Sequence, residues 1–200
     1  MAREQLNGAY IWNAFGGRQE LAAALAGHVA GRLTKAVDER GTALLAVSGG
    51  TTPARFFAAL SQIPIAWDKV TVTLVDERFV PASSPRSNAG LVASNLLQNA
   101  AAGARFVPLY HKAASIEDAA LLDNRMLESL PWPLDVVVLG MGTDGHTASF
   151  FPDADDLEKL LDPSSDRVVL PVHAASAGEP RLTLPLARII AAGSIALHIE

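Results

Sequence analysis

Cysteine is absent from the sequence, which excludes thiolate nucleophiles, iron–sulfur clusters and cysteine zinc sites and leaves the redox compartment open. Charge is sparse: 18% of residues are charged while 50% are hydrophobic, the balance of a globular chain rather than a disordered one. An excess of basic residues is also lacking. The net charge of -5 argues against general nucleic-acid binding, which needs a basic face to displace counterions. It leaves room for a small anionic ligand held by a few placed arginines. No apolar run reaches the roughly 18–20 residues that span a bilayer, and Met1–Gly8 has no apolar core of the secretory type. The expectation is a soluble cytoplasmic protein, one domain over residues 1–200, a monomer or small homo-oligomer with no nucleic-acid or membrane partner.

Several catalytic signatures are missing too. The GxxxxGK and GxGxxG nucleotide spacings do not occur, no serine sits in a GxSxG elbow, and no histidine pair has the HExxH spacing of a metal site. No metal and no cofactor are expected.

What is present is an alternation of helical and apolar segments. Ala9–Trp12 reads as an edge strand. Leu21, Leu25, Val29, Leu33 and Val37 recur every fourth residue and predict a helix over 18–39, ended by Gly41. Ala43–Val47 is a continuous apolar run, as in a strand buried on both faces of a parallel sheet. It leads into Ser48-Gly49-Gly50-Thr51-Thr52-Pro53 and a helix from Ala54 to Leu60, with threonine expected at the N-cap and proline at the first helical position. Further strands are expected at Val70–Val75, Arg105–Leu109, Leu134–Leu139, Val168–Val172, Arg181–Leu184 and Ile195–Ile199. Further helices are expected at Asn88–Leu97 and, behind a capping box at Ser115, through Leu130. The alternation implies a parallel α/β sheet with helices on both faces, whose ligands bind at the carboxyl ends of the strands.

Three polar segments follow apolar strands directly and should gather on that edge. Ser48–Thr52 offers glycines, hydroxyls and free N–H groups at a helix N-terminus, an anion site or else an ordinary tight turn. Asp76-Glu77-Arg78 brings three charges that cannot all enter the core, so they are expected at an exposed strand tip. There Arg78 either clamps an anion or pairs with a carboxylate to close a loop. Gly140–Ser149 packs Gly140, Gly142 and Gly145 around Asp144 and His146. Histidine is the side chain best suited to take a proton near neutrality. His28, His111, His173 and His198 read as structural. One histidine among carboxylates favours direct activation of water over a covalent acyl-enzyme.

The ordered set SGGTTP, VDERFVP with Ser87-Asn88 after it, and LGMGTDGHTASFFP resembles the 6-phosphogluconolactonase family, and Arg181–Leu186 resembles a fourth family segment. The resemblance runs from Leu44 to Glu200. It implies a three-layer, mostly parallel, doubly wound sheet with helices on both faces, of the sugar-phosphate isomerase and deaminase kind. It also implies metal-free hydrolysis of 6-phospho-D-glucono-1,5-lactone in the pentose phosphate pathway. The family's general base falls on His146. Its substrate and phosphate contacts fall on Ser48, Gly49, Gly50, Thr51, Thr52 and Arg78, with Asn88, Gly142, Gly145 and Arg181 beside them. Asp76 or Asp144 orients the imidazole, and Arg78 meets either the phosphate or the oxyanion. The deaminase branch carries a tyrosine where Arg78 stands and a glutamate after its Gly-His, which Thr147–Phe151 lacks; a binding-only sugar-phosphate module would not need His146. In the family a glycine-bearing turn and a lysine follow the last strand. Lys35, Lys69, Lys112 and Lys159 all lie outside the motifs, so a further tail carrying that cation is expected.

Overall fold

The computed structural model describes the backbone of residues 2–6 and residues 10–200 in full. Its centre is a five-stranded parallel sheet in the order β10–β7–β3–β4–β6, formed by β3 (Ala43–Val47), β4 (Val70–Leu74), β6 (Arg105–Val107), β7 (Val136–Leu139) and β10 (Ile195–Leu197). Every residue of β3, β4 and β7 is buried, as their apolar runs require of strands covered on both faces. The first of these five strands in chain order, β3, lies in the middle. The sheet grows outward through β4 and β6, then returns to the other side of β3 with β7 and β10. That reversal leaves a crevice beyond the carboxyl ends of β3 and β7, the usual ligand position in open α/β sheets.

The helices flanking this sheet are α1 (Arg18–Arg40), α2 (Ala54–Ser61), α3 (Asn88–Asn95) and α4 (Ile116–Leu127), with the short α5 (Leu157–Leu160) and α6 (Leu186–Ile190). Helix α1 packs on α2, β3 and β7. Its buried line runs through Ala22, Ala26, Val29, Ala30, Leu33 and Ala36, whereas Leu21, Leu25 and Val37 are only half-buried. Small alanines let the helix approach closely, so of the expected stripe Val29 and Leu33 lie within the contact while Leu21, Leu25 and Val37 flank it. Gly41 ends the helix at φ +76, its N–H bonding Val37 O at 2.8 Å, a left-handed cap that glycine adopts without strain. Ser115 caps α4 by accepting from Asp118 N.

Three expectations change. Strand β4 stops at Leu74 because Val75 is shared between sheets: its N–H bonds Val47 O while its carbonyl accepts from Leu184 N, both at 2.9 Å. The chain then enters β5 (Asp76–Arg78), which joins β8 (Leu170–Val172) and β9 (Arg181–Thr183) in a separate antiparallel sheet of order β5–β9–β8. The connection from β8 to β9 is too short for a parallel crossover, so the pair must run antiparallel. Helix α2 begins at Ala54 with Pro53 in the cap position and no side-chain cap, so Thr52 does not serve as one. The first strand prediction falls on β2 (Tyr10–Ala14), which pairs antiparallel with β1 (Ala2–Leu6) and is exposed throughout; Ala9 lies outside the described residues. Among the described residues no helix is long and apolar enough to cross a membrane.

Candidate active site

A cleft of about 250 Å³ opens where β3 and β7 end, and the three predicted segments meet in it. Ser48, Gly49, Gly50, Thr51, Thr52, Asp76, Arg78, Asn88, Gly142, His146 and Arg181 line it. Asp144 and Gly145 do not. Asp144 stands behind His146, and Gly145 shapes the loop at φ +86.

The turn after β3 is anchored by Ser48 N bonding Val138 O at 2.9 Å. Beyond it, the N–H groups of Gly49, Gly50, Thr51 and Thr52 find no acceptor among the described residues. Consecutive free donors ahead of a helix form an anion-binding concavity. Gly50 sits at φ +91. A Cβ on Gly49 would lie 1.8 Å from Asn88 Oδ1, so the turn and the start of α3 touch through a missing side chain.

The second wall is β5 with β9. Asp76 and Arg78 project toward the cleft while Glu77, between them, projects away. The expected exposed tip is not found: Asp76 is 7% exposed and Glu77 fully buried. Asp76 Oδ2 accepts from Ser149 Oγ at 2.7 Å. Arg78 has no carboxylate partner among the described residues; its guanidinium donates to Arg86 O. Arg181 stands directly opposite Arg78 across the antiparallel pair. Like charges so placed repel. Burial first, and then Arg78, lower the Arg181 pKa, against the opposing pull of Asp76. The Nε of both arginines is buried without a partner. Two cations with unspent donors facing one cleft are an arrangement that an oxyanion completes.

The third wall is the loop after β7. Gly142 N bonds His146 O at 2.8 Å and Gly145 N bonds Gly142 O at 3.0 Å, folding the loop so that Asp144 Oδ1 lies 2.5 Å from His146 Nδ1. This hydrogen bond is the chief reason the Asp144 carboxyl is held below its ordinary pKa. Asp144 therefore stays charged and fixes the proton on Nδ1, leaving Nε2 free to accept one. Of the two carboxylates read as partners of the imidazole, Asp144 is the one within hydrogen-bonding distance of it, whereas Asp76 meets Ser149. A Cβ on Gly142 would fall 2.4 Å from His146 Cε1 and 2.6 Å from Asp144 Oδ1, so the loop accommodates the pair only around a glycine. The imidazole also stacks on Phe151, centroids 4.2 Å apart, and the Arg181 guanidinium lies 5.5 Å above the same ring.

Four contributors escaped the sequence reading. Ser149 holds Asp76, Phe151 backs both His146 and Arg181, and Thr147 Oγ1 bonds Gly140 O at 2.9 Å. The fourth, His198, read as structural, lines the cleft from the end of β10, its Nε2 buried without a hydrogen bond and 3.9 Å from Glu200 Oε1. Burial lowers its pKa, against the opposing pull of Glu200. The available signal was its place one residue past a strand that runs parallel to β7. Of the remaining histidines, His28 meets Ser194, His111 meets Asp123 and His173 meets Glu117. Among the described residues no three potential metal ligands come together.

Residues 16–200 match the family described as glucosamine-6-phosphate isomerases/6-phosphogluconolactonase. A 6-phosphogluconolactonase of Mesorhizobium japonicum is 81% identical over 201 residues, covering 100% of this chain and 84% of the relative. One of Rhizobium meliloti is 58% identical over 90% of this chain and 78% of its own length. The crystal structure of a 6-phosphogluconolactonase from Shewanella baltica OS155 superposes with a TM-score of 0.90 at 40% identity, covering 92% of this chain and 78% of that one. The chain belongs to the glucosamine-6-phosphate isomerase/6-phosphogluconolactonase family.

Proposed function

We propose that the chain hydrolyses 6-phospho-D-glucono-1,5-lactone to 6-phosphogluconate, the lactone-opening step of the pentose phosphate pathway, with water activated by His146. One observation carries the reading. An oriented His146–Asp144 pair faces the same cleft as the free N–H groups of Gly49–Thr52 and the Arg78–Arg181 pair. The phosphate is held between the turn and the two guanidiniums, which places the lactone carbonyl carbon beside His146. Nε2 takes a proton from water as the water oxygen bonds that carbon, and Nδ1–H is steadied by Asp144. The tetrahedral oxyanion is stabilised by backbone N–H groups of the Gly142–Gly145 loop or by Arg78. The carbon–ring-oxygen bond then breaks, the ring oxygen receives the proton from Nε2, and the product acid releases its own proton to solvent.

The isomerase branch of the family gains no support here. No glutamate lines the cleft among the described residues, so the carboxylate that the sequence reading associates with ring opening has no counterpart. The direct test is a lactone-hydrolysis assay on the purified chain, corrected for spontaneous opening. Acceleration of the phosphorylated lactone far above that of gluconolactone supports the proposal. Binding without turnover would leave a sensor module in its place.

A further inference from the structure

We propose that Glu77, which does not itself line the cleft, is a positioning residue for it: its buried carboxylate sets where Asn88 and Arg78 stand, and through them the affinity for the phosphorylated end of the substrate. The inference rests on the lactonase reading above and concerns a residue to which that reading gives no task.

Glu77 is fully buried, yet it meets only donors. Oε1 accepts from its neighbour Arg78 N at 2.7 Å and from Asn88 N at 2.9 Å. Oε2 accepts from Ser87 Oγ at 2.9 Å and Ala89 N at 2.7 Å. Asn88 and Ala89 supply the first two N–H groups of α3, and the next, Gly90 N, bonds Ser87 Oγ at 3.2 Å. The start of α3 is thus satisfied by a side chain from another element, and the anion sits at the positive end of the helix. Three backbone N–H groups and a hydroxyl converging on two oxygens match the acceptor capacity of an ionised carboxylate. An amide of the same shape would turn N–H against N–H. Burial pushes the Glu77 pKa up, while the hydrogen bonds from Asn88, Ala89, Arg78 and Ser87 oppose that rise.

These bonds have consequences on the cleft side. With its own N–H tied to Glu77, Asn88 sends Nδ2 to Asp76 O at 2.8 Å and presses Oδ1 into the space left open by Gly49. Arg78, its N–H tied to the same carboxylate, donates from its guanidinium to Arg86 O, one residue before Ser87. One buried charge therefore joins β5, the segment 86–89 and, through Asn88, the anion-binding turn.

The experiment uses Glu77→Gln in the full chain. Thermal unfolding first establishes that the variant is folded. Calorimetry with inorganic phosphate and steady-state kinetics on both lactones follow. The expected result is about 10-fold weaker phosphate binding and a similar rise in KM for the phosphorylated lactone, the scale of one charge-assisted interaction, with kcat within about twofold. The kcat/KM for unphosphorylated gluconolactone should barely move. Glu77→Asp, which keeps the charge but shortens the reach, should fall between. A purely structural Glu77 would lower the folded fraction and leave KM and phosphate affinity of the folded molecules at parental values, which overturns the proposal. Should Glu77→Gln not fold, Ser87→Ala removes one donor to the same carboxylate. It should raise KM by about 2–3-fold, and an unchanged KM sinks the idea. The phosphate arm needs no turnover. A parent that binds phosphate but spares the lactone defeats the lactonase reading alone, and a parent that binds neither defeats both.

Discussion

The two charged walls of the cleft solve opposite problems. The loop after β7 keeps its carboxylate at the surface: Asp144 has an exposed side chain and a single partner, His146. The β5 wall hides its carboxylate completely and surrounds Glu77 with four donors. On the mechanism proposed above, the difference follows the work each wall does. A proton acceptor must reach water and exchange its proton, so its partner stays near solvent. A recognition surface must hold one shape while ligands come and go, and a desolvated, fully paired anion resists rearrangement because any displacement leaves a buried charge unmatched.

The largest effect should come from the exposed wall. His146→Gln should lower kcat by about 10²-fold or more at unchanged folding stability, the usual loss on removing a general base. A variant with near-parental kcat would erase the distinction between the walls. Substitution on the recognition side should act differently. Gly49→Ala places a methyl group 1.8 Å from Asn88 Oδ1 and should raise KM by about 10-fold or more, with inorganic phosphate losing its ability to compete. A change confined to kcat would show that the turn belongs with the catalytic loop.

Two smaller tests probe what lies outside both walls. Asp123 is buried in α4 against His111 Nδ1 at 2.5 Å, and burial pushes its pKa up to about 7. Being raised, it gives a folded state that binds more protons than the unfolded one between about pH 4 and 7. Stability from this group therefore declines as pH rises through that window. Asp123→Asn, which cannot ionise, should raise the melting temperature at pH 8 relative to pH 5 by a few degrees, at roughly 2–4 °C per kcal/mol for a chain of this size. An equal shift at both pH values would deny Asp123 its elevated pKa. The smallest expected effect is none. Dialysis against EDTA should leave hydrolysis unchanged, since His146 meets one carboxylate and no second ligand joins it among the described residues. Activity lost to chelation and restored by zinc would overturn the mechanism.

How far the sequence spoke for itself depended on whether a residue's partners were near it in the chain. Strands β3, β4 and β7 were legible because burial on both faces writes an unbroken apolar run. The loop that presents Asp144 and His146 was legible because the two are two residues apart and glycines surround them, while the sequence left Asp76 and Asp144 as alternative partners of the imidazole. The exposed tip inferred for Asp76-Glu77-Arg78 was wrong because the donors that make burial tolerable for Glu77 lie 10 to 12 residues on, at the start of another helix. The antiparallel sheet was missed for a related reason: β5, β8 and β9 are three residues each, too short to display a period. His198 shows no local pattern at all. Only the strand order brings it beside β7.

That strand order also governs when the site comes into being. Its closing contacts are distant in sequence: Ser149 reaches Asp76 across 73 residues, and Thr183 meets Val75 across 108. Pairing of remote segments must pay the entropy of closing long loops before any such contact rewards it, whereas the turns of α1 and α2 are local. Regain of turnover should therefore trail regain of helical signal in a refolding time course, and the lag between the two is a clock for the closing of these distant contacts.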